Sequence, residues 1–196
     1  MQFIATKLTG AWIVEPEPHQ DERGLFARTF CAREFQNQGL ANVFVQCNTS
    51  WNSQKGTVRG LHYQLAPASE VKLVRCTAGS LWDVIVDLRP ESPTYLHHIG
   101  IELTAGNRLA LYIPKMFAHG FQTLEDGSEA FYQMSEFYAP ELATGLRYDD
   151  PKLGITWPLP VASISAKDQS WALLSPGWAE SSSGNLSGPI DSPVSK

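Results

Sequence analysis

The feature that most limits what this chain can fold into is how often it is interrupted. Fifteen Gly and 13 Pro are spread through 196 residues. Each Pro removes a backbone donor and fixes φ, and each interior Gly costs a helix about 1 kcal/mol relative to Ala. A bundle of long helices is excluded on that ground. The runs between the breakers are short and rich in Val, Ile, Phe and Tyr, and they predict strands over 25–30, 43–50, 57–64, 71–76, 80–88, 98–103, 108–113, 120–124 and 129–138. Two short helices are predicted, 32–38 with Gly39 as its stop and 167–174 with Ser165 as its N-cap. So many strands without intervening helices predict an all-β jelly-roll barrel, whose open mouth suits a small ligand.

The barrel is expected to occupy residues 1–174 as one domain. Beyond it, 13 of the 22 residues in 175–196 are Ser, Gly or Pro, a composition expected of a flexible tail. Lys and Arg number 15 against 20 Asp and Glu, a net charge of -5, which argues against nucleic acid as a partner. No apolar run approaches the ~20 residues of a membrane helix, so no membrane partner is expected. The first residues lack a charged leader followed by an apolar stretch, which predicts a cytoplasmic protein. Cys31, Cys47 and Cys76 are odd in number and widely spaced, and are expected to be reduced, buried thiols.

Four clusters carry chemistry-bearing side chains. They are Asp21-Glu22-Arg23-Gly24-Leu25-Phe26; Arg59-Gly60-Leu61-His62-Tyr63-Gln64 with Lys72 beyond it; Pro114-Lys115-Met116-Phe117-Ala118-His119-Gly120-Phe121; and 131–141, which contains Tyr132 and Tyr138. Their order and spacing, with Asp87-Leu88-Arg89-Pro90-Glu91-Ser92-Pro93-Thr94 between them, resemble the dTDP-4-dehydrorhamnose 3,5-epimerase family of cupin-like jelly rolls over roughly residues 1–172.

That resemblance implies an isomerase without a cofactor, acting on a nucleotide-diphosphate sugar. A ketone at C4 acidifies the protons on C3 and C5, so inversion needs a base on one face of the ring and an acid on the other. A positive group near the developing enolate is needed as well. The matching positions are His62 as base, Asp168 as the carboxylate that orients it, Tyr132 as proton donor and Lys72 beside the enolate. Arg23, Arg59 and His119 match phosphate contacts. Phe26 and Tyr138 match the aromatics that stack on the base, with Gln46 and Asn48 alongside. The resemblance also implies a homodimer and a place in deoxysugar synthesis for rhamnose-containing surface polysaccharide such as lipopolysaccharide.

Strand parity adds expectations of its own. Tyr132 and Tyr138, six apart, should face the same way in an unbroken strand. Arg59 and His62, three apart, can share a pocket only if the strand bulges between them, and Gly60 is the natural site. Ser165 and Asp168 also have capping-box spacing. A metal-binding cupin would want a His-x-His pair, and Gln64 stands two after His62, so no metal is expected. Arg28 stands where many members carry an acid, which leaves the nucleotide base open, and Gln133 stands where Lys is frequent. The alternatives are inversion of a single carbon, a ketoisomerase on another nucleotide-linked 4-keto sugar, and a non-catalytic carbohydrate-binding cupin.

Overall fold

The protein is described by a computed structural model for residues 1–175; the expected tail, from 176 onward, lies outside the described residues. The strands are β1 (Gln2–Ala5), β2 (Trp12–Glu15), β3 (His19–Asp21), β4 (Gly24–Phe26), β5 (Gln46–Asn52), β6 (Val58–Gln64), β7 (Lys72–Ala78), β8 (Ser80–Asp87), β9 (His98–Thr104), β10 (Ala110–Ile113), β11 (Phe117–Thr123), β12 (Ser128–Met134) and β13 (Ala143–Gly145). Two helices, α1 (Ala32–Asn37) and α2 (Ala166–Gln169), complete the set. They form a six-stranded sheet in the order β1-β2-β10-β7-β12-β5, facing a five-stranded sheet in the order β13-β6-β11-β8-β9. Every pairing within these sheets is antiparallel. This is the cupin-like jelly roll that the short apolar runs predict.

Alternation along single strands decides what fills the barrel and what stays open. The inward positions of β7 are Cys76, Val74 and Lys72, and those of β12 include Ala130 and Tyr132. Cys76, Val74 and Ala130 join Ile85, Leu111, Phe117 and Phe121 in an apolar core between the sheets. One step further along the same faces, Lys72 and Tyr132 line a cavity. The barrel is therefore packed at one end and polar at the other.

Both outer faces are covered too. On the six-stranded sheet lies α1, whose Phe35 is fully buried among Phe3, Phe30 and Phe44 in edge-on and tilted ring contacts. The N-cap residue of α1, Cys31, makes no side-chain cap bond, so burial rather than capping fixes this helix. On the five-stranded sheet, Leu146, Leu153 and Leu174 cover Leu61, Val84 and Ala118. Double coverage explains why β11 is buried at every position, its polar His119, Gln122 and Thr123 included.

Several boundaries differ from the sequence expectation. The predicted strand over 25–30 is instead the end of a hairpin, β3–β4, that turns at Glu22 and Arg23. Strands β1, β2 and β13 carry three or four residues each, too few for alternation to register. The 129–138 strand ends at Met134; one step beyond, Ser135 still exchanges hydrogen bonds with Val71 before the chain leaves β7 as a loop. The second helix stops at Gln169 rather than 174, although Ser165 caps it as expected. Of the three cysteines, which are free, only Cys76 is buried; Cys47 is exposed on β5. Among the described residues, no helix is long and apolar enough to cross a membrane.

Candidate active site

Arg59 and His62 do reach one side of β6, and the register shows how. Phe121 of β11 stands opposite Arg59 and His119 opposite His62, so Gly60 and Leu61 together face Gly120 alone. That extra residue is the expected bulge. Gly60 sits at φ +105°, and a Cβ there would lie 2.7 Å from Gly120 Cα and His119 O. With the alternation broken, Arg59 and His62 both line the cavity while Leu61 is buried in the outer core.

The cavity has a volume of about 740 Å³ and opens between the sheets. His62 enters from the five-stranded sheet, and Tyr132 and Lys72 from the six-stranded one. Asp168 comes from α2. There Ser165 Oγ accepts the Asp168 N–H at 3.0 Å, but the carboxylate does not reach back to complete a capping box. It turns to β6, where Oδ1 lies 2.6 Å from His62 Nε2 and Oδ2 accepts the Gly60 N–H at 3.2 Å. Burial pushes the Asp168 carboxyl up, but the contacts with His62 and Gly60 outweigh it and hold the group below its usual value. An ionised Asp168 requires the proton on His62 Nε2, which leaves the lone pair on Nδ1.

Tyr132 is partly buried, and desolvation pushes its phenol above the ordinary value. The Asp83 carboxylate adds to the effect and the Arg59 charge opposes it. Lys72 is buried against Glu70, with which it forms an ion pair, and its Nζ lies 3.5 Å from the His62 carbonyl oxygen. Desolvation lowers the Lys72 pKa while Glu70 works to raise it. His119 is buried edge-on to Tyr132, the ring centroids 5.7 Å apart, and its Nε2 lies 2.9 and 3.1 Å from the two oxygens of Asp83. Asp83 and Glu70 are absent from the sequence-derived set. The sequence carries only a partial signal for them: Asp83 interrupts the apolar inward face of β8 between Leu81 and Ile85, and Glu70 precedes Lys72 by two, but neither spacing is distinctive on its own.

At the mouth, Gln46 and Asn48 project from β5 and touch each other at 3.3 Å. Parity does not govern Tyr138, because β12 has already ended. Residues 135–142 return as a loop, in which the Tyr138 N–H donates to Gln46 Oε1 at 3.2 Å, and the ring lines the same cavity. Nine of the eleven expected side chains thus line one cavity.

Arg23 and Phe26 do not. Their hairpin pairs with no other strand, leaving the Arg23 side chain 85% and Phe26 76% exposed, and Arg23 turns back onto Asp21. Among the described residues, neither hairpin side chain lines the cavity. Arg28 is held by Glu34 at 2.6 Å, and Gln133 alternates to the face opposite Tyr132 and does not line the cavity. Among the described residues, no group of three His, Cys, Asp or Glu side chains is placed to hold a metal ion.

The sequence profile of the dTDP-4-dehydrorhamnose 3,5-epimerase family matches residues 5–176. The enzyme of that name from Methanothermobacter thermautotrophicus is 46% identical over 173 residues, which cover 87% of this chain and 92% of the relative. The crystal structure of a dTDP-6-deoxy-D-glucose-3,5-epimerase from Legionella pneumophila, in complex with dTDP-4-keto-L-rhamnose, aligns with a TM-score of 0.82 at 40% identity, covering 88% of this chain and 92% of that one. A 3′-monoepimerase from Streptomyces bikiniensis, in complex with dTDP-quinovose, aligns with a TM-score of 0.81 at 30% identity, covering 87% and 86%. Because the match runs through nearly the whole barrel and not through one motif, this chain belongs to the dTDP-4-dehydrorhamnose 3,5-epimerase family.

Proposed function

We propose that this protein inverts C3 and C5 of dTDP-4-dehydro-6-deoxyglucose to give dTDP-4-dehydrorhamnose, without a cofactor. The observation that carries the reading is that His62 and Tyr132 enter one cavity from opposite sheets. His62 Nδ1 takes the proton from the carbon next to the ketone, and Asp168 holds the ring and stabilises the imidazolium. Lys72 meets the charge that gathers on the C4 oxygen. Tyr132, kept protonated by its burial, returns a proton from the other face. Arg59 lies near enough to ease the phenolate left behind, and it also marks where the diphosphate begins. His119, tied to Asp83 beside Tyr132, joins it there. Gln46, Asn48 and Tyr138 receive the base at the mouth.

The remaining two groups come from a second copy. A homodimer supplies Arg23 to the diphosphate and Phe26 to the base of the neighbouring site. Supporting this, β5 is a free sheet edge, and Trp51, Val43 and Val45 near it are exposed, as is Phe26. The reaction takes place in the cytoplasm and feeds deoxysugar synthesis for surface polysaccharide.

Incubation with dTDP-4-dehydro-6-deoxyglucose in heavy water tests the reaction, with deuterium expected at both C3 and C5. Label at one carbon only overturns the double inversion, and no label overturns the epimerase. His62→Ala is expected to slow exchange by about 10²–10⁴-fold at unchanged dTDP affinity. Arg59→Ala is expected to weaken dTDP binding by about 10–100-fold instead.

A further inference from the structure

We propose that Glu70 is the positioning residue for Lys72: its carboxylate fixes the ammonium at the cavity wall and keeps it charged while the enolate forms. This rests on the reading of Lys72 as the group that meets the enolate oxygen.

The placement starts in the backbone. Residues 69–71 lead straight into β7, and in extended chain positions 70 and 72 fall on one side. Three hydrogen bonds hold this lead-in. Val71 N–H donates to Ser135 Oγ at 2.8 Å, Ser135 N–H donates to Val71 O at 3.0 Å, and Met116 N–H donates to Ser69 Oγ at 3.3 Å. Glu70 and Lys72 are 4% and 6% exposed, and both line the cavity. One Glu70 oxygen pairs with Lys72; the other, Oε2, is buried with no hydrogen-bond partner. The ion pair with Lys72 is therefore the one polar contact of this carboxylate among the described residues, and removing either partner strands the other charge.

The surroundings leave Glu70 alone in this task. The strand neighbours opposite Lys72 are Ile113 on β10 and Met134 on β12, and neither carries charge. Around the cavity stand Arg59 and His62 from β6, His119 from β11, Tyr132 from β12, and Lys167 and Asp168 from α2. Asp168 is engaged by His62, and among the described residues Glu70 is the only ion-pair partner of Lys72. Desolvation favours the neutral amine, and Glu70 is what opposes it. An amine cannot stabilise an enolate as an ammonium does. Loss of Glu70 therefore removes activity first on the alkaline side.

The test is the pH profile of deuterium exchange into dTDP-4-dehydro-6-deoxyglucose, measured on the full chain. Glu70→Gln is expected to move the alkaline limb of kcat down by about one pH unit or more, a loss of about tenfold on that limb. Affinity for dTDP should stay within about twofold, since the nucleotide end is untouched. Glu70→Asp, which keeps the charge but withdraws it by one methylene, should lower kcat while leaving the limb near its parent position; it also reads the role if Glu70→Gln does not fold. In a Lys72→Met background, Glu70→Gln should add no further loss. A limb that stays in place in Glu70→Gln, or an equal loss in the Lys72→Met background, overturns the proposal. Parent-rate exchange by Lys72→Met overturns it too, while leaving His62 and Tyr132 in their roles. A parent that exchanges no deuterium overturns the epimerase reading itself.

Discussion

Asp168 works through two oxygens, one on the His62 ring and one on the backbone of the bulge that aims that ring. Orientation and charge therefore come from the same carboxylate. Asp168→Asn keeps the shape and the Ser165 cap, which uses the backbone N–H, but supplies only a neutral acceptor or a competing donor. Exchange is expected to fall by about 10²–10⁴-fold with α2 intact, as measured by heavy-water labelling beside circular dichroism. The depressed carboxyl also predicts a pH effect on stability. Its folded value lies below the ordinary 3.8, so its contribution is complete above about 3.8 and is lost as pH falls through the folded value. Melting temperature should drop more steeply in that acid window for the parent than for Asp168→Asn; equal slopes would remove Asp168 as a source of acid sensitivity. Side chains of this kind were legible in the sequence because their types match a chemical need in family order. Asp83 and Glu70 were not, because each touches a candidate side chain rather than matching a family position, and a carboxylate two positions from a lysine looks like any other until burial is known.

The bulge in β6 is the element on which the site turns. A regular strand would place Arg59 and His62 on opposite faces, and the two glycines, Gly60 and Gly120, let the backbones meet closely enough for the extra residue to fit. Gly60→Ala combines an unfavourable positive φ with a Cβ 2.7 Å from main-chain atoms of β11. The φ alone costs about 1–3 kcal/mol, and each kcal/mol lowers the melting temperature of a domain this size by about 2–4 °C. Calorimetry should show that loss, and the exchange rate should fall further than the melting shift explains, since His62 is re-aimed. A parent-like melting temperature and rate in Gly60→Ala would mean that the bulge does not depend on glycine. The need for a bulge was legible from the spacing together with the resemblance that puts both residues in one pocket. The longer element β8 was legible as well, because Leu81, Trp82 and Val84–Val86 outweigh the single interruption at Asp83, whereas β11 was legible only from 120 onward. The short strands β1, β2 and β13 were not, since pairing with neighbours, rather than their own pattern, makes them strands. The end of β12 was hidden for a similar reason: its extent is set by pairing with β5 and β7 and not by the pattern of 129–138.

At the scale of the whole molecule, one chain holds nine of the eleven expected side chains around its cavity and leaves Arg23 and Phe26 on a hairpin outside it. Sequence order could not reveal this, because residues required at one site need not come from one chain. If the hairpin of each copy completes the site of the other, two different defects placed on separate chains must complement. A chain carrying Arg23→Ala and Phe26→Ala keeps its own base, and a chain carrying His62→Ala keeps a sound hairpin. Either alone should have low exchange at limiting substrate. Co-expressed in equal amounts and paired at random, about half the dimers are hybrids, and each hybrid has one site with both an intact base and an intact hairpin. Activity should therefore recover to about a quarter of the parent's per site. Light scattering should show twice the chain mass in every preparation. Recovery tells the shared site from a dimer of independent sites, which has the same mass but cannot complement. Absence of recovery in a hybrid isolated by two different affinity tags would confine each site to its own chain and leave Arg23 and Phe26 as surface groups.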